Sequence, residues 1–238
     1  MNGLSPYGHA HMLHRAWRYR LRTERDEVRF MLGCDLRGGL AVDIGANVGI
    51  YSYWMSKAVG REGRVIAFEP QPEMIEQLQR AKASFGMKNL TIAPTGLSSE
   101  ESSATLRRKW SHLGGASISF EMPDADDELT IPLTTLDAYI DEHADRPVAF
   151  IKCDVEGHEP EVFRGAMKTL ARDMPTLLFE CHDSEVRGST LFDDLGSLGY
   201  DAYFLHNGQR THIDRFDEIR PTIAKPCLNY VCIPRTGN

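Results

Sequence analysis

No stretch of this chain approaches the roughly 20 consecutive apolar residues needed to cross a bilayer, so membrane insertion is not expected. Positive charge is also in short supply. Lys and Arg total 27 against 34 Asp and Glu, a formal charge of -7, which removes the diffuse attraction on which nucleic-acid and anionic-lipid binders depend. Cysteine pairs are missing as well. Cys34, Cys153, Cys181, Cys227 and Cys232 are odd in number and lack C-x-x-C spacing, so neither a disulfide framework nor a thiolate zinc site is expected. Reduced thiols in a cytoplasmic protein fit this usage. Met12 to Arg22 alternates apolar and charged side chains and never forms the apolar core of a secretory signal.

What the chain does have is apolar material for one large core, 42% of 238 residues, and hence one domain. From Leu40 onward, short apolar runs alternate with amphipathic helices, the pattern of an α/β fold with a mostly parallel central sheet and helices on both faces. The runs cover 40–43, 64–69, 90–93, 149–154 and 177–180. Between them, Met74, Ile75, Leu78 and Ala81 form one helical stripe, and a helix from Glu159 buries Val162, Phe163, Ala166 and Leu170. Segments 202–205 and 230–233 read as antiparallel C-terminal edge strands. Residues 1–38 read as an N-terminal helical cap or lid, with Leu13, Trp17, Leu21, Val28 and Met31 as its stripe, and 39–238 as the main domain. An insertion near 98–134 is too long for an ordinary connection; it contains a strand at 104–107 and a Gly114-Gly115 loop.

Three of the five runs end in a carboxylate, Asp43, Glu69 and Asp154, and Glu180 closes a fourth shortly before His182. In open α/β sheets the ligand crevice lies beyond the carboxyl ends of the strands. The first run leads through Asp43-Ile44-Gly45-Ala46-Asn47-Val48-Gly49 into a helix from Ile50. Gly45 permits a tight turn and Gly49 lets the helix approach a ligand. A pyrophosphate cradle would carry a third glycine, whereas this turn leads with an acid that repels a diphosphate. Asp43 instead suits a cationic group such as an ammonium, and Glu69 can accept both hydroxyls of a ribose. Asp43, Gly45, Ala46, Asn47, Gly49, Glu69 and Pro70 are therefore the candidate cofactor-binding residues.

The segment 43–49 resembles motif I of class I methyltransferases, and Phe68-Glu69-Pro70 resembles their ribose-binding motif. With Leu136-Asp137, then Lys152-Cys153-Asp154-Val155-Glu156-Gly157-His158-Glu159, then Gly165-Ala166, the order is similar to the FkbM family of methyltransferases over roughly Gly39 to Pro234. That resemblance implies a Rossmann-like class I methyltransferase fold, S-adenosylmethionine as cofactor, and predominantly O-methylation, often of sugar or polyketide hydroxyls. Tyr7 to Arg25 matches no motif of the family. A nicotinamide-dependent oxidoreductase and a non-catalytic nucleoside-binding module are the competing readings of the same turn.

An alcohol is a poor nucleophile at neutral pH, so a general base or a divalent metal would accelerate methyl transfer to it. Asp154, Glu156, His158 and Glu159 follow the fourth run, while Glu180, His182 and Asp183 close the fifth, so all could converge on one rim. Asp154, Glu156 and His182 are the candidate catalytic groups. Asp154, Glu180 and His182 are the candidate ligands for magnesium, calcium or manganese, because oxygen-rich sets with an imidazole suit those ions. Glu156 could equally accept backbone N–H groups at a helix start. Glu180 needs a partner at the end of a buried run: a metal, Lys152 or the acceptor. Trp110, His112 and His158 are candidates for substrate binding. Trp110 and His112 precede the glycine loop and could stack on an acceptor ring, while His158 also reads as a solvated or capping group. Asp137 reads as a cap for the helix that follows it. The expected partner is a small-molecule or glycosidic acceptor, with no nucleic acid, and a homo-oligomer is compatible with the sequence.

Overall fold

The computed structural model describes residues 4–111, 113–119, 122–224 and 227–235. Its first elements are two helices, Pro6–Arg18 (α1) and Arg25–Gly33 (α2), separated by a five-residue π turn, Tyr19–Thr23. Met12 and Ala16 are the buried residues of α1, whereas Trp17 and Leu21 are 47% and 59% exposed. The predicted stripe therefore slips by one position. A π turn holds one residue more than an α turn, so a face that includes Val28 and Met31 continues upstream through 12 and 16 rather than 13 and 17. The indole N–H of Trp54 donates to the Ala16 carbonyl at 3.1 Å, fixing α1 on the domain.

Three apolar runs become parallel strands, Leu40–Ile44 (β1), Arg64–Phe68 (β2) and Leu90–Ala93 (β3), linked by helices Ile50–Val59 (α3) and Pro72–Phe85 (α4). Side chains alternate along each strand. Leu40, Val42, Ile44, Ile66 and Phe68 join one core, while Ala41, Val65 and Ala67 join the other, so both faces are covered, as a parallel sheet requires.

The insertion is not a bare loop. Gly96–Leu97 (β4), Ser102–Arg108 (β5) and Asp127–Thr134 (β6) form a three-stranded sheet in the order β4-β6-β5. Leu106, Ile131 and Leu133 are its buried apolar patch. Arg108, with its side chain 5% exposed, bonds Glu73 of α4 at 2.8 Å and Asp127 at 2.7 Å, tying the small sheet to that helix of the main domain.

Leu136–His143 (α5) leads to Val148–Cys153 (β7), and the helix predicted from Glu159 divides into Glu159–Arg164 (α6) and Met167–Asp173 (α7). The break falls at Gly165-Ala166. A Cβ on Gly165 would come within 2.0 Å of the Ser98 carbonyl oxygen, so glycine there lets the start of the insertion pass. The Asp137 carboxylate accepts the backbone N–H groups of Lys168 at 3.0 Å and Thr169 at 2.8 Å. It therefore caps α7 and not, as its sequence position suggests, its own helix. That cap is Thr135, whose hydroxyl accepts from the Ala138 N–H at 3.0 Å. Asp137→Ala is expected to cost about 1–2 kcal/mol in urea unfolding; an unchanged midpoint would mean that the cap contributes nothing.

Thr176–His182 (β8), Tyr200–His206 (β9), Gln209–His212 (β10) and Cys227–Pro234 (β11) complete the eight-stranded sheet, in the order β10-β9-β11-β8-β7-β1-β2-β3. The C-terminal strand is antiparallel to β8 and β9 but lies between them rather than at the edge, which β10 occupies. Burial explains this, since Tyr230, Val231 and Cys232 are all fully enclosed. Among the described residues no helix is long and apolar enough to cross a membrane.

Candidate active site

The carboxyl ends of β1, β2 and β7 meet at one rim, and register decides which side chains meet there. Asp43 of β1 pairs across the ladder with Lys152 of β7. Asp43 is 1% exposed and accepts the Ser52 hydroxyl at 2.6 Å. Burial raises its pKa, against the opposing pull of Lys152 and Ser52. After β1 the chain turns at Gly45, which has φ of 75°. A Cβ there would lie 1.9 Å from the Asp154 carbonyl oxygen, so the two strand ends can approach only with glycine at 45. Gly49, at φ 85°, leads into α3, where a Cβ would meet Leu78 at 2.3 Å.

Glu69, immediately beyond β2, is 3% exposed. One of its carboxylate oxygens accepts the Asn47 N–H at 2.8 Å and the other the Gln71 N–H at 2.9 Å. Burial pushes its pKa up to about 7 in spite of those donors. The Gln71 side chain bonds the same carboxylate.

Two cavities meet over the Gly45 turn. The first lies between the main sheet and the insertion. Glu69, Pro70 and Asn47 form its polar side, and Leu97, Leu106 and Leu133 its apolar side. The second opens under the N-terminal helices and is lined by Asp43, Ala46, Lys152 and Tyr51, together with Arg15, Tyr19 and Glu24. Gly45, Asn47, Gly114 and Asp154 line both. Gly114 crosses the motif turn closely enough that a Cβ would stand 2.7 Å from the Asn47 amide nitrogen.

The second cavity holds a charge cluster that the strand-end pattern only half revealed. The Lys152 ammonium donates to Asp154 at 2.8 Å and lies 4.8 Å above the Tyr51 ring. The Tyr51 hydroxyl donates to Glu24 at 2.5 Å. Burial pulls the Lys152 pKa down, but Asp154, Asp43 and Glu24 together raise it above the usual value. Burial pushes Glu24 to about 6, with Lys152 and Tyr51 opposing. Glu24, Tyr51 and Lys152 were not among the predicted site residues. Lys152 follows from its place opposite Asp43, whereas Glu24 is positioned by the π turn, and neither the turn nor that contact has a local signature.

The segment 154–159 carries the remaining acids. Glu159, 1% exposed, accepts the Val155 N–H at 2.8 Å and the Gly157 N–H at 3.0 Å. The loop-capping carboxylate is thus Glu159, which frees Glu156 from the capping role considered for it. Glu156 sits at φ 54°, where residues other than glycine are uncommon, and lines the first cavity beside Asp154. Burial, then the neighbouring Asp154 and Glu180 carboxylates, pushes its pKa up to about 7. The Ser117 hydroxyl donates to the Glu156 carbonyl at 2.7 Å. His158 lines the same cavity, yet its two ring nitrogens engage Ser98 at 3.0 Å and Ser119 at 2.9 Å. Burial lowers its pKa, so a neutral imidazole fastens the insertion over the rim.

Glu180 stands near enough to this group to raise the Glu156 pKa, but it and other predicted residues are not part of the cavity walls. Glu180 and His182 lie on β8 and line neither cavity, and Trp110, 55% exposed, lies under the Arg108 guanidinium at 4.8 Å. His112 falls outside the described residues. Among the described residues no group of three His, Cys, Asp or Glu side chains is arranged to hold a metal ion. Asp154, Glu180 and His182 do not form the predicted ligand set. Asp154 is engaged by Lys152, and the strand that carries Glu180 continues to His182 instead of ending at the rim. The donor arrangement does not fit a divalent cation.

The family profile described as Methyltransferase FkbM domain matches residues 43–222. The hexuronic acid methyltransferase AglP of Haloferax volcanii is 27% identical over 156 residues, 65% of this chain and 61% of that protein. The crystal structure of Methyltransferase FkbM from Methylobacillus flagellatus superposes with a TM-score of 0.51 at 16% identity, covering 97% of this chain and 56% of that one. A Streptococcus mutans protein solved in complex with SAH gives 0.54 at 10% identity, covering 89% and 97%. The chain thus spans less than two thirds of the length of the first two relatives, and the two structures share its fold.

Proposed function

The chain belongs to the FkbM family of methyltransferases, and on that premise we propose that it transfers a methyl group from S-adenosylmethionine to a hydroxyl of a small-molecule or glycosidic acceptor. The observation that carries this reading is the pair of cavities joined at Gly45 and Asp154, one apolar with a buried ribose acceptor and the other lined by charges. When bound, S-adenosylmethionine supplies a sulfonium-activated methyl for in-line displacement. Leu97, Leu106 and Leu133 would enclose the adenine, and the Glu69 carboxylate would accept the ribose hydroxyls. Asp43 and Asp154 give the second cavity the negative character that favours an ammonium. A diphosphate would meet the same acids together with Glu24, which argues against a nicotinamide cofactor.

At the acceptor, the chain must align one oxygen and remove its proton. Glu156 suits the second task. Its pKa of about 7 leaves it a carboxylate in part of the population at neutral pH and makes it a stronger base than an ordinary glutamate. The His158, Ser98 and Ser119 contacts hold the insertion across this rim, where it would shield the transfer from water. The hexuronic acid substrate of the Haloferax relative favours a sugar acid as acceptor. The test is mass spectrometry after incubation with isotopically labelled S-adenosylmethionine and a panel of uronic acids and neutral glycosides. Label on a product oxygen is expected; no labelled product from any hydroxylated acceptor, with the donor bound, would favour a non-catalytic nucleoside-binding module.

A further inference from the structure

We propose that Arg15 and Tyr19 of the N-terminal helical segment form the subsite for the carboxylate of the cofactor's amino-acid portion. This rests on the nucleoside reading of the site and extends it to residues outside the span 43–222 that the family profile matches. Both side chains line the second cavity, opposite Asp43, Ala46 and Asp154. Four residues apart, they lie one turn above the other on the same helical face. Their position is set by packing, since Met12 and Ala16 of α1 are buried and the Ala16 carbonyl receives the Trp54 indole. The π turn that starts at Tyr19 closes with the Glu24 N–H donating to the Tyr19 carbonyl at 3.1 Å, so Glu24 reaches the same cavity from below.

Charge decides what such a cavity accepts. An amino-acid zwitterion presents an ammonium and a carboxylate a few ångströms apart. The acids Asp43, Asp154 and Glu24 welcome the first and repel the second, and the Lys152 ammonium is already shared among those three carboxylates. Arg15 is half-buried, and its side chain makes no hydrogen bond or ion pair with any described residue. Its guanidinium can therefore offer a two-pronged contact to a carboxylate, with the Tyr19 hydroxyl as a second donor.

Calorimetry on the full chain with two ligands tests this. S-adenosylhomocysteine carries the amino-acid portion, whereas methylthioadenosine keeps the adenosine and thioether but lacks it. The wild-type chain is expected to prefer the first. Arg15→Ala should weaken S-adenosylhomocysteine about tenfold or more, the scale of a hydrogen bond to a charged group, while methylthioadenosine changes by less than about twofold. Arg15→Lys should recover part of the loss, and Tyr19→Phe should lose less than Arg15→Ala. Methylthioadenosine binding also reports whether each variant is folded. Equal losses for both ligands, or none for either, would overturn the subsite. So would a wild-type chain that binds both ligands equally, which leaves the nucleoside reading intact; failure to bind either would overturn both.

Discussion

Glu156→Gln is expected to lower kcat by about 10²–10⁴-fold, the contribution of a positioned general base, with donor binding and folding retained. Gln keeps the shape of the side chain and removes only its ability to take a proton. The pH dependence gives the signature. Burial and the Asp154 and Glu180 carboxylates put Glu156 at about 7, and the base acts as the carboxylate. Wild-type kcat should therefore rise with pH, reach half its plateau near 7 and level off above, whereas the residual rate of the variant should lack that step. A variant that keeps the wild-type rate and profile would remove Glu156 from the chemistry. Glu156 lines the first cavity at φ 54°, and the proposed role as base would give that uncommon backbone conformation a use.

Lys152→Met is expected to destabilise the fold by about 3–5 kcal/mol, the cost of removing one partner from a buried ion pair. Lys152 is 6% exposed, faces Asp43 across the ladder and donates to Asp154. Without it, Asp43 stays buried with hydrogen bonds from Ser52 but no cation beside it. The sign with pH follows. Burial already holds the folded pKa of Asp43 above its usual value with Lys152 present, and its loss raises that pKa further. A carboxyl with a raised folded pKa favours folding while it is protonated and loses that contribution as pH rises through the folded value. The variant should therefore lag the wild type most at alkaline pH and least near pH 5 in denaturant unfolding. A uniform deficit across that range would mean that Lys152 acts through packing alone.

The strands were legible because a sheet buried on both faces needs continuous apolar runs, and 40–43, 90–93 and 177–180 fall on strands while 64–69 and 149–154 overrun theirs only by the final acid. Asp43, Glu69 and Asp154 stood out for the same reason, as acids at the ends of apolar segments. What escaped was set by distant contacts. The π turn slid the N-terminal stripe by one residue and carried Glu24 into the second cavity. Asp137 caps a helix 31 residues away, and His158 is fixed by two serines of the insertion. None of these has a period or spacing that a sequence displays. The Leu-Asp and Gly-Ala pairs of the family pattern meet in space, with the Asp137 N–H donating to the Gly165 carbonyl at 3.0 Å, so part of that pattern maintains the scaffold and not the chemistry.

The most direct test of the whole account is a crystal structure of the full chain grown with S-adenosylhomocysteine. The account predicts adenine between the main sheet and the insertion, both ribose hydroxyls within hydrogen-bonding distance of Glu69, and the thioether over Gly45 and Asp154. A nucleoside bound away from Glu69, or turned with its adenine under the N-terminal helices, would contradict it.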